Sequence, residues 1–176
     1  MPSAMSPVFT PQEIAERVAQ LGARISLEYA DKDLLLVGVL KGAFVFLADL
    51  ARSLTIPAQV DFVRLSSYQD KDHPGELVFS RDLELDPRGR HVLVIEDIVD
   101  TGRSMSKLMA SLAGRGAESV RLCALIDKTE RREVHVEVDF SGFRLSQGFL
   151  VGYGLDFAEN HRCLPGVYKL LNPKDA

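Results

Sequence analysis

Three short segments dominate this chain: residues 34–39 and 92–95 are apolar from end to end, and residues 120–126 are apolar but for Arg121. A strand with one wet face alternates apolar and polar residues, so a run without alternation needs cover on both faces. That points to a parallel sheet between two helical layers. The intervening segments supply the helices. Thr10-Pro11-Gln12-Glu13 is a helix start: Thr10 caps, Pro11 suits the first turn, and Glu13 closes a capping box. Ile14, Val18, Leu21 and Ile25 then recur at spacings of four, three and four, one apolar helical face. Residues 43–54 carry Phe44, Leu47, Leu50 and Ala51 on one side. Residues 104–113 carry Met105, Leu108, Met109 and Leu112, with Gly114 and Gly116 closing that helix. Further strands are expected at 60–65, 78–83, 90–95, 134–140 and 149–153, the last two as antiparallel additions near the C-terminus. Residues 66–76 are polar, contain Pro74-Gly75, and read as a loop.

The bulk properties narrow the function classes. A chain of 176 residues is enough for one domain with a real core. The net charge of −4 argues against a general nucleic-acid or membrane-surface binder. No apolar stretch approaches the ~20 residues that span a bilayer, and residues 1–9 read as a loose tail without the features of a signal peptide. A cytoplasmic protein is therefore expected. Cys123 and Cys163 fit neither a metal spacing nor a disulfide framework, and Cys123, inside an apolar run, reads as a small buried hydrophobe.

The segment 92–105, VLVIEDIVDTGRSM, carries the chemistry. If residues 92–95 are a strand and Ser104 caps the next helix, the residues between form the turn at the carboxyl end of a parallel sheet. Open α/β sheets bind ligands at that edge. Asp100, Thr101, Gly102, Arg103 and Ser104 offer backbone N–H groups, two hydroxyls, a glycine and a cation ahead of a helix N-terminus, which describes a phosphate cradle. The spacing is neither the Walker nor the dinucleotide glycine pattern. Glu96 and Asp97 read either as solvated loop acids or as acceptors for sugar hydroxyls and a divalent metal. Their compression into one turn with the cradle favours the second. Ile98 to Gly102 also resembles the Asp-Thr-Gly of aspartic proteases, but those are all-β proteins with two such acids, and no second Asp-Thr-Gly exists here.

This stretch resembles the 5-phosphoribosyl-1-pyrophosphate (PRPP) motif of type I phosphoribosyltransferases. Leu40-Lys41-Gly42 is similar to that family's pyrophosphate-binding loop, and Leu65-Ser66-Ser67-Tyr68 to the flexible loop of its purine members. Leu125-Ile126-Asp127-Lys128 and the segment from Gly148 to Asp156 resemble the base-binding region of hypoxanthine (hypoxanthine-guanine) phosphoribosyltransferases. The likeness runs from about residue 34 to 170, in the family's order. It implies a mainly parallel sheet flanked by helices, a flexible β-loop, and one domain over 10–176. The core would occupy about 34–145, and a base-binding hood about 146–176 together with the N-terminal helix.

The resemblance also implies an activity: transfer of the phosphoribosyl group of PRPP to hypoxanthine or guanine with Mg²⁺, giving IMP or GMP and pyrophosphate. Residues 100–104 would hold the 5′-phosphate, and Asp100 would also serve as general acid/base at N7 of the purine. Glu96 and Asp97 would meet the ribose hydroxyls and metal. Lys41, Gly42, Arg162, Ser67 and Tyr68 would meet pyrophosphate, with a cis peptide before Lys41. Lys128 would meet O6, Phe149 would stack on the ring, Leu150 would touch its edge, and Asp156 would help hold the metal. Taken alone, Lys41, Lys128 and Arg162 are ordinary surface charges, Phe149 is a core aromatic and Asp156 a helix cap. Arg103 and Ser104 stand where relatives often carry Lys and Thr, preserving charge and hydroxyl. A homodimer or homotetramer is expected, with no nucleic-acid or membrane partner. The competing readings are a phosphoribosyltransferase-fold regulator that binds RNA or nucleotides without turnover, disfavoured by the −4 charge, and a xanthine- or adenine-using relative.

Overall fold

The computed structural model describes residues 5–67 and 77–171. A six-stranded sheet is built from β2 (Leu34–Leu40), β3 (Gln59–Ser67), β4 (Leu77–Arg81), β5 (His91–Val99), β6 (Ser119–Lys128) and β7 (Phe140–Leu145), in the order β4-β3-β2-β5-β6-β7. Every neighbouring pair is parallel except the antiparallel edge pair β3–β4. Helices α1 (Pro11–Glu28) and α2 (Phe44–Ser53) share one apolar cluster with Leu34, Leu36, Leu93 and Ile95. Helix α3 (Arg103–Gly114) shares the other with Leu35, Val37, Val92 and Val94. Adjacent residues of the same strand thus fall in opposite clusters, which is why those runs contain no polar residue.

The expected capping box is present: Thr10 N–H donates to Glu13 Oε2 at 2.8 Å, and Glu13 N–H to Thr10 Oγ1 at 3.3 Å. Ile14, Val18, Leu21 and Ile25 are all buried. Phe44, expected on the buried side of α2, is instead exposed, because Phe46, Leu47 and Leu50 form the inner face.

Three expectations are corrected. The loose tail of 1–9 does not hold for residues 5–9. Met5–Phe9 is a strand, β1, antiparallel to β9 (Val167–Leu170), which also pairs with β8 (Leu150–Val151) to make a second, three-stranded sheet. Phe9 anchors it, stacked on Phe143 of β7 with ring centroids 3.9 Å apart. Strand β1 thus joins β8 and β9, while α1 shares one apolar cluster with the main sheet and with Leu150, Tyr153 and Val167 of the C-terminal segment. Residues 134–140 do not form a strand; an irregular segment reaches Phe140, where β7 begins. Its Val134 N–H donates to the Thr101 carbonyl, and its Asp139 side chain accepts from Leu122 N–H of β6 in place of a backbone ladder. Of the expected loop 66–76, residues 66 and 67 belong to β3, and the rest, with Tyr68, lies outside the described residues.

Phe9→Ala tests whether β1 belongs to the fold. Its ring is half-buried and stacked, so the substitution is expected to cost about 1–3 kcal/mol, below the 3–5 typical of a fully buried Phe. Urea denaturation reads the difference, and an unchanged midpoint would return residues 5–9 to the status of a tail.

Candidate active site

The sheet order reverses between β2 and β5: β3 lies beyond one of them, β6 and β7 beyond the other. Outside the carboxyl ends of such a strand pair lies the crevice that open α/β sheets use for ligands. Gly38 pairs with Ile95, so two residues further on Leu40 comes beside Asp97. Here the backbones close up. A Cβ on Gly42 would lie 1.8 Å from Asp97 Oδ2, and one on Gly154 would lie 2.2 Å from the Gly42 carbonyl. Only glycine fits at either position. The Leu40–Lys41 peptide is cis, as the resemblance implied.

Strand β5 does not stop before the acids; it runs through Glu96 and Asp97 to Val99. The strict alternation slips there, since Ile95 and Ile98 both pack into the α1/α2 cluster. Side chains take over local amide bonding: Asp97 N–H donates to Glu96 Oε1 at 3.1 Å, and Ile98 N–H to Asp97 Oδ1 at 2.8 Å. The slip lets both acids line one concavity of ≈ 250 Å³, together with Ile98, Val99, Asp100, Thr101, Gly102, Ser104 and Met105. Burial pushes both carboxyls above their ordinary values, Glu96 well above, with the Asp97 charge adding to it. For Asp97, the hydrogen bond shared with Glu96 and the Arg162 guanidinium offset part of the rise.

The turn after β5 is capped by Gly102, not by Ser104: Gly102 is the N-cap of α3, with φ of 81°. A Cβ there would lie 2.4 Å from the Val134 carbonyl, so the turn presses on the segment after β6. The Thr101 carbonyl accepts from Glu133 N–H and Val134 N–H, each at 3.0 Å. Arg103, exposed, pairs with Glu133.

Arg132 ties this region together. Its guanidinium donates to the carbonyls of Asp100 (3.0 Å), Val99 (3.2 Å), Lys128 (3.1 Å) and Val136 (3.2 Å), and to Asp127 Oδ1 (2.6 Å). One side chain thus fixes the end of β5, the end of β6 and the turn between β5 and α3. Sequence reasoning missed it, because an arginine among charged neighbours gives no periodic signal; only the crowding of charge after an apolar run hints at it.

Asp100 and Lys128 are brought together at the ends of β5 and β6. Lys128 is buried, not the surface lysine its neighbours suggest, and its Nζ lies 3.8 Å from Asp100 Oδ1. Arg131 Nη1 lies 3.4 Å from Asp100 Oδ2. Asp100 Oδ1 is buried and has no hydrogen-bond partner among the described residues. A second cluster sits across Gly42. Lys41 Nζ donates to Glu159 at 2.9 Å, and Arg162 pairs with Asp156 at 2.8 Å and donates to the Gly154 carbonyl at 2.8 Å and to Glu159 at 3.3 Å. Asp156 is thereby occupied by Arg162 and by Glu159 N–H (2.9 Å). Phe149 stands just before β8, 43% exposed and edge-to-face with Phe157 at 5.2 Å. The Leu150 side chain, expected at the edge of the base, is buried in the core. Ser67 lies at the end of β3.

Among the described residues no group of three or more His, Cys, Asp or Glu side chains gathers around one point. The donor set is the Glu96–Asp97 pair, a buried and a half-buried carboxyl linked through the Asp97 N–H, which donates to Glu96 Oε1 at 3.1 Å. Such a pair fits a hard divalent cation whose other ligands are water and substrate oxygens.

The chain matches the phosphoribosyl transferase domain over residues 8–158. It belongs to the phosphoribosyltransferase family. It is 43% identical over 162 residues to the hypoxanthine phosphoribosyltransferase of Salmonella typhimurium, covering 90% of this chain and 91% of that one. It is 44% identical to the hypoxanthine-guanine phosphoribosyltransferase of Dictyostelium discoideum, covering 93% of each. Its fold is similar to the crystal structure of a hypoxanthine phosphoribosyltransferase from Staphylococcus aureus, with a TM-score of 0.91, 33% identity, and 95% and 91% of the two chains covered. The acid turn of this phosphoribosyltransferase thus lies at the ligand edge of the family's sheet.

The raised carboxyl values make a stability prediction. A carboxyl whose value is higher folded than unfolded favours folding below the unfolded value, and that contribution is lost as pH rises through the folded one. At pH 8 the fold therefore holds Glu96 against its preference. Glu96→Gln keeps the acceptor for Asp97 N–H and removes the ionisation. The ligand-free variant is expected to melt several degrees higher than the unaltered protein at pH 8, the gain shrinking toward zero near the ordinary carboxyl value of 4.5. Thermal unfolding across pH in chelator checks this.

Proposed function

We propose that the protein is a purine salvage enzyme that transfers the 5-phosphoribosyl group of PRPP to N9 of hypoxanthine, and also of guanine, releasing IMP or GMP and pyrophosphate. The single observation that carries the chemistry is Asp100: a carboxylate at the concavity with one buried oxygen that lacks a hydrogen-bond partner among the described residues. A buried acceptor left unpaired is costly, and a purine N7 that exchanges a proton would complete it. Asp100 is then the general acid/base. The N–H groups at the start of α3, Thr101, Gly102, Arg103 and Ser104 hold the 5′-phosphate. Glu96 and Asp97 accept from the ribose hydroxyls, and their charge favours an oxocarbenium-like transition state.

Lys128, buried beside Asp100, donates to the purine O6. An ammonium has no acceptor, so it favours a 6-oxo group over a 6-amino group. Phe149, with half its face open, stacks on the ring. Lys41, Gly42 and Arg162 bind the pyrophosphate group, and Ser67 and Tyr68 cover it. Mg²⁺, held by Glu96, Asp97 and substrate oxygens with Asp156 nearby, would screen the pyrophosphate charge. No helix among the described residues is long and apolar enough to cross a membrane. A cytoplasmic location is part of the proposal, in keeping with two free cysteines, as is a homodimer or homotetramer.

Steady-state kinetics with PRPP and Mg²⁺ test the reading. Hypoxanthine and guanine are expected as substrates, with adenine at least about a hundredfold lower in kcat/KM. Inactivity with every 6-oxopurine would overturn it, and a salt-dependent affinity for RNA in such an inactive protein would favour the regulator instead. Asp100→Asn is expected to lower kcat about 10²–10⁴-fold with KM for PRPP nearly unchanged.

A further inference from the structure

Both cations assigned to pyrophosphate already have a partner within the chain. Glu159 Oε2 lies 2.9 Å from Lys41 Nζ and 3.3 Å from Arg162 Nη2. Its side chain is 63% exposed, so this carboxylate is not needed to fill a core. It is aimed inward by its backbone: Ala158, Glu159 and His161 all have positive φ (50°, 65° and 75°), a region that non-glycine residues seldom occupy. Nor does Arg162 need it for support. The guanidinium is also held by Asp156 and by the Gly154 carbonyl, each at 2.8 Å. What remains for the Glu159 carboxylate is to bridge two positive groups that face the crevice.

We infer that Glu159 is an internal stand-in for pyrophosphate, which the incoming PRPP must displace from Lys41 and Arg162 and which reoccupies them as pyrophosphate leaves. This rests on the assignment of those two cations to pyrophosphate. Lys41, and after it Arg162, hold the Glu159 carboxyl below the usual range, so it stays ionised and able to compete. An exposed ion pair is weak, which suits a contact that has to be broken in every turnover. A diphosphate carries more charge and more acceptors than one carboxylate, so it wins the exchange, but by a smaller margin than it would against solvent. The residue thereby sets how tightly the leaving group is held, without touching the reacting bond.

The test is calorimetric titration of inorganic pyrophosphate, with Mg²⁺ at fixed pH and ionic strength, into the full chain and two variants. Glu159→Gln removes the competing charge and leaves in place the Glu159 N–H bond to Asp156 (2.9 Å). Glu84→Gln removes the same charge from a residue whose N–H is held by Asp61 of β3, near the opposite edge of the sheet. Glu159→Gln is expected to bind pyrophosphate about three- to tenfold more tightly, with KM for PRPP falling in parallel and the melting temperature unchanged. Glu84→Gln is expected to match the unaltered protein. Equal or weaker binding by Glu159→Gln, or an equal gain in Glu84→Gln, would overturn the inference while leaving the assignment of Lys41 and Arg162 standing. An unaltered protein that binds no pyrophosphate would overturn that assignment, and the inference with it.

Discussion

The contact between Gly42 and Asp97 holds the site together. It exists because β2 and β5 are parallel neighbours at the point where the sheet order reverses, so their carboxyl ends rise side by side. The absence of a Cβ on Gly42 lets the Asp97 carboxyl approach the loop after β2, and the absence of one on Gly154 lets the hood backbone lie against the same loop. Two clusters from different parts of the sequence meet at that point: acids and turn on one side, Lys41 with Arg162 on the other. The Arg162 charge registers at Asp97. A ligand with negative groups at both ends and hydroxyls between them matches that order of charges.

The second support is Arg132. Strand ends and tight turns leave carbonyls without ladder partners, and buried ones need donors. Arg132 supplies donors to four such carbonyls and neutralises Asp127. Lysine could not do this, since a single ammonium has neither the reach nor the planar fork of a guanidinium. The relative positions of Asp100 and Lys128 follow from it, because it grips the backbone carbonyls of both residues.

The layered sheet was legible because burial on both faces leaves an unmistakable trace, the apolar runs at β2, β5 and β6. The capping box was legible because it is local. The acid turn was legible as the turn between a parallel strand and the next helix, which β5 and α3 flank, and the family resemblance gave each acid a separate expected partner. What was not legible depends on distant pairing. Met5–Phe9 has no periodicity of its own and becomes a strand only by meeting β9. Residues 134–140 contain alternating β-branched residues, yet their amides and carbonyls serve the Thr101 turn and Arg132. The slip of alternation at Glu96 and Asp97 could not be read from composition either, since it depends on local amide bonding to their own carboxyls. Glu159 carried no motif at all, and its position comes from three backbone turns with positive φ.

These cations share one electrostatic arrangement. Lys41 and Arg162 face Glu159, Arg103 faces Glu133, and Lys128 and Arg131 face Asp100. A crevice that must bind a polyanion needs cations, but cations left facing one another repel and destabilise the fold. Pairing each with a carboxylate of the same chain removes that repulsion while no ligand is bound. Most of these pairs are exposed at one partner or both, where ion pairs are weak, so a phosphate can replace the carboxylate at small cost. The exception is Lys128 with Asp100, where the lysine is buried and the separation of 3.8 Å is too long for a hydrogen bond. That pair is better suited to being bridged than exchanged: a purine placed between ammonium and carboxylate could accept from one and exchange a proton with the other. On the proposed assignment, the phosphate ends of the crevice would work by substitution, and its base end by insertion.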